Sequence, residues 1–181
     1  MGLIRSEAFR CKTITNGLLD FSHTRSSEHV LVNLADVIAS AARLLGHQQR
    51  GEQVEFQIDT PNDLPHVSGD AGQLQQAVIA LATNAIDAMP DGGVLRIGSR
   101  SSGNCVLVEV SDTGVGIPRE NITKIFEPFF TTKEIGKGTG LGLAVCYGIL
   151  TEHGGSLDVQ STPGVGTTFT ISLPAVSSDG E

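Results

Sequence analysis

Asp112-Thr113-Gly114-Val115-Gly116-Ile117-Pro118 sets an acidic residue where one strand ends, with two glycines directly behind it. Upstream, strands over about 94–100 and 105–111 are joined by Ser101-Ser102-Gly103-Asn104, a hairpin turn. Downstream, residues 112–140 are rich in Gly, Thr and Lys and carry little strand or helix signal apart from a short helix near 119–125. A loop of that length inside a compact domain is usually functional. A helix from Leu141 to Glu152 and strands over about 156–161 and 167–173 complete this half of the chain. The connections of the two strand pairs are short enough for antiparallel hairpins rather than crossovers.

Further upstream, Asp70 followed by Gln73 gives a capping-box start to a long helix. Leu74, Val78, Leu81, Ala85 and Met89 form its buried stripe, and Pro90-Asp91-Gly92-Gly93 stops it. Val54, Phe56 and Ile58 alternate as a half-buried strand, and Pro61 to Gly69 reads as loop. Leu34, Val37, Ile38, Ala41, Leu44 and Leu45 define an earlier helix capped by Asn33. Residues 3–21 form one amphipathic helix through Ile4, Ala8, Cys11, Ile14, Leu18 and Phe21, and Ser22 to Glu28 is a polar link. The predicted class is α+β, a two-layer sandwich in which a mixed, mostly antiparallel sheet packs on helices, with one extra N-terminal helix.

The bulk numbers narrow the partners. At 181 residues the chain can bury one good core, and its 39% hydrophobic content is ordinary for a soluble globular protein. A net charge of −8 argues against a broad nucleic-acid or anionic membrane surface. Cys11, Cys105 and Cys146 lack paired spacing, which suggests reduced thiols in a cytoplasmic setting. The Met1-Gly2 start and Asn121-Ile122-Thr123 match short modification patterns of the kind that arise by chance.

Four segments carry the chemistry. Asp112 offers an acceptor to which an adenine amine can donate, and Gly114 and Gly116 lack the Cβ atoms that would hold a flat base away from the backbone. Its plainer reading is an Asp-Thr-Gly turn after a strand. Asn84, in Asn84-Ala85-Ile86-Asp87-Ala88, shares a helix face with Gln73, Ala77, Ala80 and Asp87, and its amide oxygen is a hard donor suited to Mg²⁺. The alternative is a solvent-facing Asn. Gly136-Lys137-Gly138-Thr139-Gly140-Leu141-Gly142-Leu143 supplies loop amides before a helix N-terminus, an anion site that fits neither the Walker nor the Rossmann spacing. Phe126-Glu127-Pro128-Phe129-Phe130-Thr131-Thr132-Lys133 holds three of the seven phenylalanines, either as core or as a loop that docks on a neighbouring domain. Lys133 and Lys137 are long enough to reach phosphates.

Together these segments resemble the N, G1, F and G2 boxes of the sensor histidine kinase ATP-binding domain, within the GHKL (Bergerat-fold) ATPase superfamily. Gly164-Val165-Gly166-Thr167-Thr168-Phe169 is similar to the family's closing segment. The resemblance implies ATP and Mg²⁺, with Asn84 on the metal, Asp112 on adenine and the second glycine box over the phosphates. It extends the nucleotide site to Ile117, Thr131, Thr132, Lys133, Lys137, Gly138, Thr139, Gly140, Leu141, Gly142, Leu143 and Thr167. It divides the chain into residues 1–27, the second helix of a dimerisation and phosphoacceptor hairpin with its linker; 28–174, the catalytic domain; and 175–181, a polar tail. Expected partners are that hairpin, in the same protein or a dimer mate, and a response-regulator receiver domain, with no nucleic acid and no direct membrane contact. The location implied is cytoplasmic, whether or not the full-length protein is tethered to a membrane.

Two departures qualify the resemblance. The family's second Asn, one turn before Asn84, is Ala80 here. None of His23, His29, His47, His66 or His153 precedes an acidic residue as in a phosphoacceptor box. The chain is therefore expected to bind ATP without phosphorylating itself in the usual way. Its alternatives are a nucleotide-binding pseudokinase or an anti-sigma-type serine kinase.

Overall fold

A computed structural model describes residues 29–47, 54–61, 63–133 and 138–176. The expected helix over 3–21, its linker and the residues from 177 onward lie outside the described residues. Among the latter, the elements are β1 (Val30–Val32), α1 (Leu34–His47), β2 (Val54–Asp59), β3 (Val67–Gly69), α2 (Ala71–Asp87), β4 (Gly93–Ser102), β5 (Cys105–Asp112), α3 (Arg119–Ile122), α4 (Gly142–Glu152), β6 (Ser156–Thr162) and β7 (Gly166–Pro174). No described helix is long and apolar enough to cross a membrane.

Five strands form one sheet in the order β2-β4-β5-β7-β6. Every pairing in it is antiparallel except β2 with β4, which run parallel from Val54 opposite Gly93 to Asp59 opposite Gly98. The hairpin turn is tighter than the sequence suggests, because Ser101 and Ser102 already pair with Val106 and Cys105. Gly103 takes the left-handed conformation, with φ 57°, that a two-residue turn demands.

One face of this sheet is apolar. Leu95, Ile97, Val106, Val108, Val110, Phe169, Ile171 and Leu173 alternate along their strands and are buried beneath the helices. α2 is the middle of the helical layer, touching α1 on one side and α4 on the other. The stripe read from its sequence, Leu74, Val78, Leu81, Ala85 and Met89, is buried throughout.

Two expectations need correction. The stretch before Asp70 is not all loop, since Val67–Gly69 pairs antiparallel with Val30–Val32 in a separate two-stranded sheet. Strands of three residues are too short to display a period of two, and only their cross-chain pairing creates them. The capping box at Asp70 is also only half made. Asp70 Oδ1 accepts from the N–H groups of Gly72 and Gln73, at 2.8 and 3.1 Å. The return bond from Gln73 is missing, however, and Gln73 Oε1 is buried without a partner. The Asp70 N–H instead donates to Nε2 of buried His153 at 3.0 Å, while His153 Nδ1 lies 2.7 Å from the Ile149 carbonyl. With Nε2 accepting and Nδ1 donating, the ring is fixed as the Nδ1–H tautomer and ties the end of α4 to the start of α2.

At the other end of the fold, Ala175 and Val176 donate backbone N–H groups to Asn104 and His66 carbonyls at 2.9 and 2.8 Å. Cys146 sits wholly inside the core, and burial pushes its thiol up to about 12, so it packs as an apolar side chain.

Candidate functional site

α2 carries its polar face toward a cavity of about 520 Å³ between the helical layer, the end of β5 and the segments on either side of residues 134–137. Asn84 is half-buried on that face, with Asp87 one turn further along and Ala80 one turn before. The opening turn of α4 stands close by, since a Cβ on Gly142 would lie 3.9 Å from Asn84 Nδ2.

The floor belongs to Asp112. Its side chain is buried, and Oδ1 accepts from the Gly114 N–H at 2.8 Å and the Thr167 N–H at 3.3 Å. Burial pushes the carboxyl above its ordinary 3.8, while those two N–H groups pull it back. No hydrogen bond from the described residues reaches Oδ2, which leaves that oxygen as an acceptor for whatever fills the cavity.

Glycines let the backbones around this carboxylate approach one another. Gly166 has φ 138°, and a Cβ there would collide with the Asp112 carbonyl. Gly116, at φ 70°, packs directly on the Thr162 carbonyl. Gly114 differs from its expected role: it is buried against the Ala88 carbonyl and does not line the cavity. Its freedom from a Cβ brings the loop against the end of α2, and its N–H holds Asp112. Leu141 likewise does not line the cavity; it is buried at the entrance to α4.

Beside the mouth, two residues take left-handed backbone, one of them strained. Phe129 has φ 68° despite its side chain, Gly140 has φ 67°, and the Phe129 N–H donates to the Gly140 carbonyl at 2.9 Å. A Cβ on Gly140 would strike the Phe129 backbone, so this pairing is open only to glycine. Beyond it, Lys133 Nζ meets Asp87 Oδ2 at 2.7 Å across the cavity edge. Both side chains are solvated, and exposed pairs of this kind are weak enough to exchange for an incoming anion.

The structure thus gathers Asn84, Asp112, Gly116, Ile117, Thr131, Thr132, Lys133, Gly138, Thr139, Gly140, Gly142, Leu143 and Thr167 around one cavity. Lys137 lies outside the described residues. Asn121, Ile125 and Phe169 also line it, although in the sequence their periodicity marks only ordinary loop and core. Ser161, which carries no sequence signal, supports the wall from behind: its hydroxyl binds the Ile117 N–H at 2.7 Å and the Gly166 carbonyl at 3.0 Å. Among the described residues no group of three or more His, Cys, Asp or Glu could hold a metal ion.

Comparisons with known proteins agree with this fold. Residues 69–177 match the family profile described as histidine kinase-, DNA gyrase B-, and HSP90-like ATPase. The chain is 41% identical over 186 residues to sensor kinase CckA of Brucella abortus (strain 2308), covering 94% of this chain and 20% of that protein. It is 33% identical over 172 residues to sensor histidine kinase ZraS of Escherichia coli (strain K12), covering 95% of this chain and 37% of that one. The chain therefore spans well under half the length of these relatives. Among solved structures, the nucleotide-free catalytic domain of histidine kinase ThkA superposes with a TM-score of 0.73 at 35% identity, covering 82% of this chain and 96% of that domain. ThkA in complex with response regulator protein TrrA gives 0.79 at 32% identity, covering 96% of this chain and 50% of the kinase.

Proposed function

The chain belongs to the histidine kinase-, DNA gyrase B-, and HSP90-like ATPase family, and from that membership we propose that it is the ATP-binding catalytic portion of a two-component sensor histidine kinase. The observation that carries the reading is the buried Asp112 carboxylate at the floor of a cavity whose rim joins Asn84 to the glycine-rich start of α4.

In this reading Asp112 Oδ2 accepts the adenine amine, and the ring slides over Gly116 and Ile117. The phosphates extend toward Thr139, Gly140 and Gly142, where loop amides and the N-terminus of α4 provide partial positive charge. Lys133 exchanges Asp87 for a phosphate oxygen. The half-buried Asn84 amide suits Mg²⁺, which neutralises phosphate charge when bound. Phosphoryl transfer leaves the protein little covalent work, so the contribution of these residues is to hold the γ-phosphate in line with an incoming imidazole. That imidazole would come from the phosphoacceptor hairpin, and the phosphate would then pass to a response-regulator aspartate.

Ala80 on the cavity wall favours a second reading, a pseudokinase in which nucleotide only orders the rim, because its methyl group orders neither water nor metal. Incubating this chain with γ-labelled ATP and a separate phosphoacceptor-hairpin fragment distinguishes the two. The kinase reading expects an acid-labile, base-stable label on the fragment's histidine. Nucleotide binding with no label on the fragment supports the pseudokinase instead.

A further inference from the structure

Ser161, on β6, has three partners: the Ile117 N–H at 2.7 Å, the Gly166 carbonyl at 3.0 Å and the Thr167 hydroxyl at 2.9 Å. An amide N–H can only donate and a carbonyl can only accept. The single Ser161 proton is therefore committed to Gly166. In the remaining contact Thr167 must donate its own proton to Ser161 Oγ, because Ser161 has no second proton to give. The Thr167 hydroxyl is thereby left with lone pairs only. Thr167 is buried, lines the cavity and holds Asp112 Oδ1 through its backbone N–H at 3.3 Å.

We infer that Ser161 is a specificity-setting positioning residue: by taking the Thr167 proton it makes the cavity floor, Asp112 and Thr167 together, an all-acceptor surface. Such a floor accepts from the amine at purine position six and repels the carbonyl oxygen that inosine and guanine carry there. Without Ser161 Oγ the Thr167 hydroxyl could turn its proton into the cavity and satisfy that oxygen. Ser161 lies outside the recognisable boxes and touches the nucleotide only through Thr167 and Ile117. The inference rests on an adenine nucleotide occupying the cavity, as proposed above.

Calorimetric titration of the chain with ATP and with ITP tests it, since ITP differs at the position-six substituent and the neighbouring ring proton. Ser161→Ala should reduce the preference for ATP over ITP at least about fivefold, chiefly by improving ITP binding. Ser161→Thr, which restores an oxygen, should recover the wild-type preference. Thr167→Val removes the acceptor itself and should lower the preference too, giving a readout even if Ser161→Ala does not fold. A purely structural role predicts equal losses for both nucleotides in Ser161→Ala. That result, or an unchanged ratio in Thr167→Val, overturns the inference. Absence of ATP binding by the wild-type chain would instead sink the nucleotide reading on which it rests.

Discussion

Replacing Asp112 with Asn weakens ATP binding by more than about tenfold while leaving the fold at least as stable at neutral pH. The two effects have one cause. Asp112 Oδ1 already takes two backbone N–H groups, and an Asn can place its oxygen there unchanged. Its amino group then occupies the Oδ2 position and confronts the adenine amine, donor against donor. For stability, the sign follows from burial, which raises the folded-state pKa above 3.8. A group shifted upward gives its full stabilisation below the unfolded value, and that is lost as pH rises through the folded value. At neutral pH the ionised carboxylate therefore weakens the fold, and Asn removes the charge. Urea unfolding should place the Asn variant at or above wild type at neutral pH, with its advantage shrinking toward pH 3.8. Unchanged ATP affinity by calorimetry would refute the adenine assignment, and a clear loss of stability at neutral pH would refute the electrostatic account.

Gly166→Ala has the larger effect on folding. The residue sits at φ 138°, and its new Cβ would press on the carbonyl of Asp112, which is backbone and cannot rotate away. Strain and overpacking together cost on the order of 3 kcal/mol. The register of β5 against β7 would loosen where Asp112 faces Thr167, so nucleotide affinity should fall as well. Gly164→Ala is the control: it also has positive φ, at 75°, but open space around it. It should cost only about 1 kcal/mol and leave the site intact. Equal destabilisation of the two variants in urea would mean that backbone conformation, rather than the close approach at Asp112, governs this hairpin.

What could be read along the chain was whatever repeats locally or announces its own chemistry. The α2 stripe sits within one element and survives folding as read, whereas the alternation of Val54, Phe56 and Ile58 breaks down at its end, because β2 is an edge strand and leaves Ile58 exposed. The features that escaped depend on partners far away in sequence. β1 and β3 are three residues each and exist through each other. The Asp70 N–H finds His153, 83 residues away, in preference to the Gln73 three positions on. In the sequence Gly114 reads as part of a base platform, but Ala88 lies against it and turns it into a packing contact. Ser161 reads as one serine among several until β6 carries it under Ile117 and beside Thr167. Pairing and burial of this kind leave no periodic trace.

If one buried carboxylate makes this cavity an adenine nucleotide site, calorimetric titration of the intact chain with Mg²⁺–ATP and with Mg²⁺–GTP should tell the two nucleotides apart. Saturable ATP binding at one site is expected, with GTP weaker by at least about tenfold, because the guanine oxygen meets the Asp112 acceptor. Equal affinity for the two nucleotides, or no heat with either, would contradict the adenine assignment.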